Sequence, residues 1–369
     1  MKRLALLDAL HNGSHAAWST GLAAAMPAAG WQVELHTLPG RHWKWRMQGA
    51  ALQFAASLHG PPPDALLVTD MLDAARLRGS LPAAWRSVPL IAYFHENQVS
   101  FPWKSTEDRD QRIAYAFANI QSAAAADAVW FNSQHQLDAF LQGIPSVMAR
   151  LPDALPRGLV ERIQAKSQVI APGIQFPPMP TGHLQRPLRR PIRLLWNHRW
   201  APDKQPEYAV AAWNELLQLG IPFEIDLLGT GPRDPDSPLL AWAAAHPKYV
   251  TSFEPAADRT SYGARLAAAD AMVHSPLQEY FGISVVEALH AGVLPVLPEA
   301  HAYPEYVHGL AFASTPRTAA AAVRAITQAP PAAIGQWRQA AHACALPYSW
   351  DRMRPVYAAA LDRICMRLQ

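Results

Sequence analysis

With 369 residues and a mass of 40.5 kDa, the chain exceeds the roughly 250–300 residues that one hydrophobic core serves, so two packed domains are expected. Half of the residues are apolar, yet no run of about 18 uncharged apolar residues occurs, and Met1-Lys2-Arg3 leads into an apolar stretch too short for a signal-peptide core. A transmembrane protein is thereby excluded, a cytoplasmic one without stable membrane association is expected, and a net charge of +3 does not by itself point to nucleic acid.

Short apolar runs at 4–7, 32–36, 65–68, 90–94 and 128–131 predict strands, and alanine-rich stretches at 16–28 and 113–126 predict helices between them, the rhythm of a parallel α/β sheet. From 171 to 191 the rhythm breaks: Pro172, Pro177, Pro178, Pro180, Pro187 and Pro191, with Gly173 and Gly182, form a stretch that neither a helix nor a central strand tolerates. A second series of strands is predicted at 192–196, 223–228, 249–253, 271–274 and 294–297. The expected organisation is an N-terminal domain over 1–175, a proline-rich linker over 176–191 and a C-terminal domain over 192–347. A closing helix over 348–369, capped by Ser349 or Asp351, packs back on the first domain. Both domains are read as doubly wound and Rossmann-like, facing a central cleft.

Candidate chemistry gathers where these strands end. After the first strand, Asp8-Ala9-Leu10-His11-Asn12-Gly13-Ser14-His15 offers a glycine turn, with Ser14 placed to cap a helix whose free N–H groups face a ligand; ordinary helix punctuation explains the same residues. His11 and His15 have an i, i+4 spacing, but Gly13 between them favours a turn, and Cys344 and Cys365 lack ligand spacing, so no metal site is expected. Segment 41–46, Arg-His-Trp-Lys-Trp-Arg, interleaves cations with flat aromatics in a composition suited to phosphates and exposed bases, or else is a loop whose tryptophans pack down. At the end of the fourth strand, His95, Glu96, Asn97 and Gln98 stand in succession; His95 can donate to a sugar hydroxyl or a leaving phosphate, with Glu96 to orient it, or these residues satisfy one another in a loop.

In the second half, Asn197-His198-Arg199 and Lys204 place two cations on one loop, where they can neutralise a diphosphate leaving group. Gly229 and Gly231 form a turn against which a nucleotide base could lie. Glu279 and Glu287, separated by seven residues across the glycine turn at Gly282, Ile283 and Ser284, form the strongest local signal. The helix start offers N–H groups to a diphosphate, Glu279 reaches sugar hydroxyls and Glu287 the ribose, while Ser284 with Glu287 also reads as a capping box.

The pattern Arg199, Lys204, Glu279, Glu287 resembles the donor signature of retaining GT-B glycosyltransferases. Further segments resemble the tRNA-queuosine alpha-mannosyltransferases, among them Gly13-Ser14-His15, Lys44-Trp45-Arg46, Phe94-His95-Glu96-Asn97-Gln98, Trp196-Asn197-His198-Arg199-Trp200 and Tyr303-Pro304-Glu305. The resemblance implies a GT-B fold and transfer of mannose from the co-substrate GDP-mannose, with no cofactor or metal, to queuosine in the anticodon of tRNA-Asp, with retention. It implies that Arg199 and Lys204 stabilise the leaving GDP, that His95 and Glu279 meet the sugar, and that Glu287, Gly282, Ile283, Ser284, Gly229 and Asn197 bind the donor. Gly13, Ser14, His15, Glu96 and Asn97 would line the acceptor side, with segment 41–46 (Lys44 and Arg46) and Trp103-Lys104 touching tRNA. The competing readings are the same chemistry on an envelope glycan or a lipid-linked sugar, and a catalytically silent tRNA-binding protein on this scaffold.

Overall fold

The computed structural model describes residues 1–103, 108–151, 156–230, 235–307 and 315–367. It divides into two units, Met1–Gln175 with Tyr348–Gln369, and Phe176–Pro347. In the first, β1 (Lys2–His11), α1 (Gly13–Ala25), β2 (Trp31–Pro39), α2 (Trp43–Ser57), β3 (Ala65–Thr69) and α3 (Ala74–Ser80) alternate. They are followed by β4 (Leu90–Phe94), α4 (Arg109–Ala125), β5 (Ala128–Phe131), α5 (Gln134–Met148), α6 (Leu159–Gln164) and β6 (Ser167–Val169). All six strands are parallel, in the order β2-β1-β3-β4-β5-β6.

Burial on both faces explains why these strands read as unbroken apolar runs. Along β1, Ala5, Leu7 and Ala9 enter one core with Leu66 and Val68 of β3 and Phe94 of β4, while Leu4 and Leu6 enter the opposite core with Leu67 and Tyr93. Helix starts follow local chemistry: the Asp73, Asp108 and Ser133 side chains accept backbone N–H groups at the openings of α3, α4 and α5. The strand β6 was absent from the sequence expectation because it is three residues long, half-buried and mostly polar.

The second unit carries β7 (Ile192–Trp196), α7 (Pro206–Gln218), β8 (Phe223–Leu227), α8 (Pro238–Ala245), β9 (Val250–Ser252) and α9 (Arg259–Ala268). Next come β10 (Ala271–Val273), α10 (Ile283–His290), β11 (Leu294–Val296), α11 (Pro316–Gln328) and α12 (Pro331–Ala345). Its five-stranded sheet is parallel in the order β11-β10-β7-β8-β9. The proline-rich stretch belongs to this unit: Phe176 stacks on His290 with ring centroids 4.0 Å apart, and Arg186 pairs with Asp270 at 2.5 Å. Asp270, fully buried, also accepts from Arg338 at 2.7 Å and from the backbone N–H of Arg193 at 2.9 Å, which is how a buried carboxylate is accommodated.

The last helix, α13 (Trp350–Arg367), returns to the first unit as expected. Trp18 Nε1 donates to the Tyr357 hydroxyl at 2.9 Å, and that hydroxyl donates to the carbonyl of Ala171 at 3.0 Å. The Trp350 indole lies against Gly21 and Gly173, where any side chain would overlap the ring.

Each sheet has one point at which consecutive connections run to opposite sides. In the first it lies between β1 and β3, in the second between β7 and β10. Ligands of doubly wound sheets bind outside the strand carboxyl ends at such points.

Candidate active site

In the second unit, the loops after β7 and β10 converge at the switch point. Lys204, only 9% exposed, donates to Glu279 Oε2 at 2.9 Å and stands 3.4 Å from Asp203 Oδ2. Burial alone lowers the pKa of its ammonium; Glu279 and Asp203 outweigh that, so the net displacement is upward and the lysine stays charged. Arg199 lies 3.7 Å from Asp203 with its side chain 63% exposed, so one cation of the loop is fixed and buried and the other is presented outward. The Leu277 N–H donates to the Asp203 carbonyl at 2.8 Å, tying the two loops together.

Asn197 Nδ2 donates to the Ser284 carbonyl at 2.9 Å, which docks the β7 loop on the first turn of α10. That helix starts after Gly282, whose φ of 89° suits glycine and whose Cβ, if present, would stand 3.0 Å from the Tyr306 hydroxyl. Gly282, not Ser284, occupies the N-cap, and no side chain caps the helix; the expected Ser284–Glu287 capping box is therefore absent. Glu287 is instead held by α9. Its Oε2 accepts from the Tyr262 hydroxyl at 2.9 Å and its Oε1 pairs with Arg259 at 2.9 Å, while burial raises its pKa against both partners.

Gly229 packs the loop after β8 against the loop after β7. A Cβ there would lie 2.7 Å from the Trp196 ring and 3.0 Å from Trp200 Nε1, so the glycine is needed for the β7 and β8 loops to touch. Gly231 lies outside the described residues.

The first unit builds a second cluster at its own switch point. Asp8, fully buried, bonds His11 Nδ1 at 2.8 Å and Ser19 Oγ at 2.7 Å. The α1 helix begins at Gly13 after Asn12, with no side-chain cap: Ser14 does not cap it, and Asn12 Nδ2 donates instead to the Gly40 carbonyl at 2.6 Å. His15 lies 4.3 Å from His95, ring centre to ring centre, and Trp18 and Tyr93 enclose His95 edge-on at 4.6 and 4.8 Å. Burial, with His15 adding to it, holds the His95 pKa well below its ordinary value, so the ring is neutral at physiological pH. Its Nε2 is buried and, among the described residues, has no hydrogen-bond partner.

The backbone around His95 is fixed by Asp70, which accepts from its N–H at 3.0 Å, and by Asn132, which donates to its carbonyl at 2.8 Å. Glu96 accepts from Gln98 Nε2 at 3.3 Å, and Asn97 Oδ1 accepts from the Ser100 N–H at 2.9 Å. His95 and His15 are thus brought together, Glu96 bonds Gln98, and buried Asn97 serves the loop.

Segment 41–46 is not a loop but the entry to α2. Trp43 packs on Tyr115 and Trp103, Lys44 lies over Trp43 at 5.7 Å and over Trp103 at 5.8 Å, and Trp45 is 67% exposed. Arg46 is the exception to the expected nucleic-acid face: it is buried, and its guanidinium bonds the Pro39 carbonyl and, at 3.1 Å, Gln53 Oε1. Lys104 lies outside the described residues.

Sequence reasoning assigned no role to Asp70, Tyr262 or Arg259, which act on partners 25 or more residues away. It also assigned none to His274 and Tyr303, although a histidine ending a predicted strand in the donor-side sheet was a usable signal.

Two parallel-sheet Rossmann-like units, with this cluster at the β7 and α10 loops, define a GT-B glycosyltransferase. The fold matches sucrose-phosphate synthase from Thermosynechococcus elongatus (TM-score 0.70, 15% identity, all of both chains). It also matches HepE from Anabaena in complex with UDP (0.68, 15%, 98% of this chain and 100% of that one). A trehalose-phosphate synthase from Burkholderia vietnamiensis aligns similarly (0.71, 13%, 100% and 99%); at such identities the likeness concerns the fold. Residues 192–329 match the family of glycosyl transferases group 1. Residues 3–174 match the tRNA-queuosine alpha-mannosyltransferase N-terminal family, and a tRNA-queuosine alpha-mannosyltransferase of Drosophila melanogaster is 28% identical over 313 residues, 81% of this chain and 80% of that one. The chain is a hexosyltransferase, similar in its N-terminal half to the tRNA-queuosine alpha-mannosyltransferases and in its second half to the glycosyl transferases of group 1.

Proposed function

We propose that this protein transfers mannose from GDP-mannose to the cyclopentene-diol of queuosine in the anticodon of tRNA-Asp, with retention at the anomeric carbon. The observation that carries the reading is the buried Lys204–Glu279 pair beside the exposed Arg199, at the switch point of the second sheet and next to the uncapped start of α10. A buried lysine and an exposed arginine suit a diphosphate leaving group, and the helix N-terminus adds N–H dipoles of the same sign, so the charge developing on GDP is met without a metal ion.

The leaving phosphate takes the acceptor proton on the same face of the sugar, so no side chain acts as the base. A neutral His95 fits this scheme as a donor to a sugar hydroxyl rather than as a proton acceptor. His15, Ser14 and Glu96 stand on the acceptor side. For tRNA, the exposed Arg41 and Trp45 with Lys44 at the head of α2 offer phosphate contacts and a stacking face, a role that buried Arg46 does not share. The reading places the enzyme in the cytoplasm with its substrate; among the described residues no helix is long and apolar enough to cross a membrane.

The test is to incubate purified protein with GDP-mannose and queuosine-containing tRNA-Asp, digest the RNA and weigh the nucleosides. A hexose-sized gain on queuosine alone is the expected result. Slow GDP-mannose hydrolysis without that gain discards the queuosine acceptor, and no turnover of any sugar nucleotide discards the donor site.

A further inference from the structure

Two polar side chains next to the Lys204–Glu279 pair are not explained by the packing of the second unit. His274, the first residue after β10, is 2% exposed, and among the described residues neither of its ring nitrogens has a hydrogen-bond partner. Tyr303 is fully buried, and its hydroxyl likewise has none. Their ring centroids are 6.0 Å apart. Both also feel the ion pair. After burial and His198, Lys204 is the next cause depressing the His274 pKa, and after burial Glu279 is the next cause raising that of Tyr303.

A buried donor or acceptor left unsatisfied destabilises the fold, and an apolar side chain of like shape, such as phenylalanine at 303, would avoid that penalty. The His274 ring is further fixed by stacking on His198, with centroids 3.3 Å apart, and His198 Nδ1 lies 3.5 Å from Ser284 Oγ at the start of α10. The orientation of His274 is thereby set by the same loops that hold the Lys204–Glu279 pair.

A neutral imidazole carries one donor and one acceptor, and a phenol hydroxyl supplies one of each. Neighbouring hydroxyls of a hexose require the same set, since every hydroxyl both donates and accepts. We propose that His274 and Tyr303 bind the hexose hydroxyls of the nucleotide sugar and set which hexose the site accepts. This rests on the donor reading of the Lys204–Glu279 site and assigns to it a sugar-reading wall. A site built to bond a hydroxyl discriminates strongly against a donor that misplaces it, because the buried partners are then left unpaired again.

The experiment is titration calorimetry of the full chain, as wild type, Tyr303→Phe, His274→Phe and His274→Asn, with GDP, GDP-mannose and GDP-glucose, and with UDP and UDP-glucose in parallel. The nucleotide that the wild type binds fixes which series is compared. The expected result is free-nucleotide affinity within about twofold of wild type in every variant, with affinity for the nucleotide sugar falling about tenfold. The preference between the two GDP-hexoses should shrink in Tyr303→Phe. Unchanged nucleotide-sugar affinity in all three variants overturns the inference, as does an equal loss for nucleotide and nucleotide sugar, which marks a structural role. A wild type that binds no nucleotide at all overturns the donor reading itself, and with it this one.

Discussion

Replacing Lys204 with methionine keeps the buried stem and removes the charge, leaving Glu279 and Asp203 facing each other's field, with Arg199 3.7 Å from Asp203. Breaking a buried ion pair by deleting one partner typically costs about 3–5 kcal/mol. Lys204 is nine-tenths buried and the Arg199 side chain is largely exposed, so the lower half of that range is expected, read as a fall in chemical-denaturation stability. Losing one preorganised stabiliser of a leaving group costs about 10²–10³ in kcat. The double variant Lys204→Met with Glu279→Gln removes both charges and should recover most of the stability while recovering none of the transfer. Affinity for tRNA should stay within about twofold in both, since the pair lies in the second unit and the proposed RNA-facing residues in the first. A Lys204→Met protein that loses stability but keeps transfer within about tenfold of wild type would refute the reasoning, because the lysine would then be a structural partner of Glu279 only.

Gly229→Ala should destabilise the second unit by about 1–3 kcal/mol in urea unfolding, because the added methyl meets the Trp196 ring and the Trp200 indole. Tyr357→Phe removes the hydroxyl that Trp18 Nε1 donates to and that bonds the Ala171 carbonyl, and should cost about 1–3 kcal/mol without changing nucleotide binding. His290 is held neutral mainly by burial, with its pKa brought from 6.5 down to about 4. The unfolded chain therefore binds the extra proton first, so stability present above pH 6.5 is lost as pH falls toward 4, and His290→Gln should flatten the thermal-unfolding profile in that window. Replacing Trp45 and Lys44 together with alanine should weaken tRNA binding, measured by filter retention, about tenfold or more while leaving GDP-mannose affinity unchanged.

The sheets were legible in the sequence because both faces of each are covered: strands such as β4 and β5 are buried from end to end, so they show as apolar runs with sharp limits. The Lys204–Glu279 cluster was legible because Arg199, Lys204, Glu279 and the Gly282 turn lie on two short loops, each beginning where a predicted strand stops. Where a residue's job depends on another element, the chain alone misassigned it. Arg46 read as a cation for RNA until Pro39 and Gln53 were seen to hold it. Glu287 read both as a ribose ligand and as half of a capping box; the capping box is absent, and the partners Tyr262 and Arg259 come from α9, at a separation no local pattern carries. Strand and loop identity followed from local hydrophobicity and turn chemistry, which act over a few residues. The partners of buried polar groups were decided only by packing, because the hydrogen bonds that satisfy them form between segments brought together by the fold.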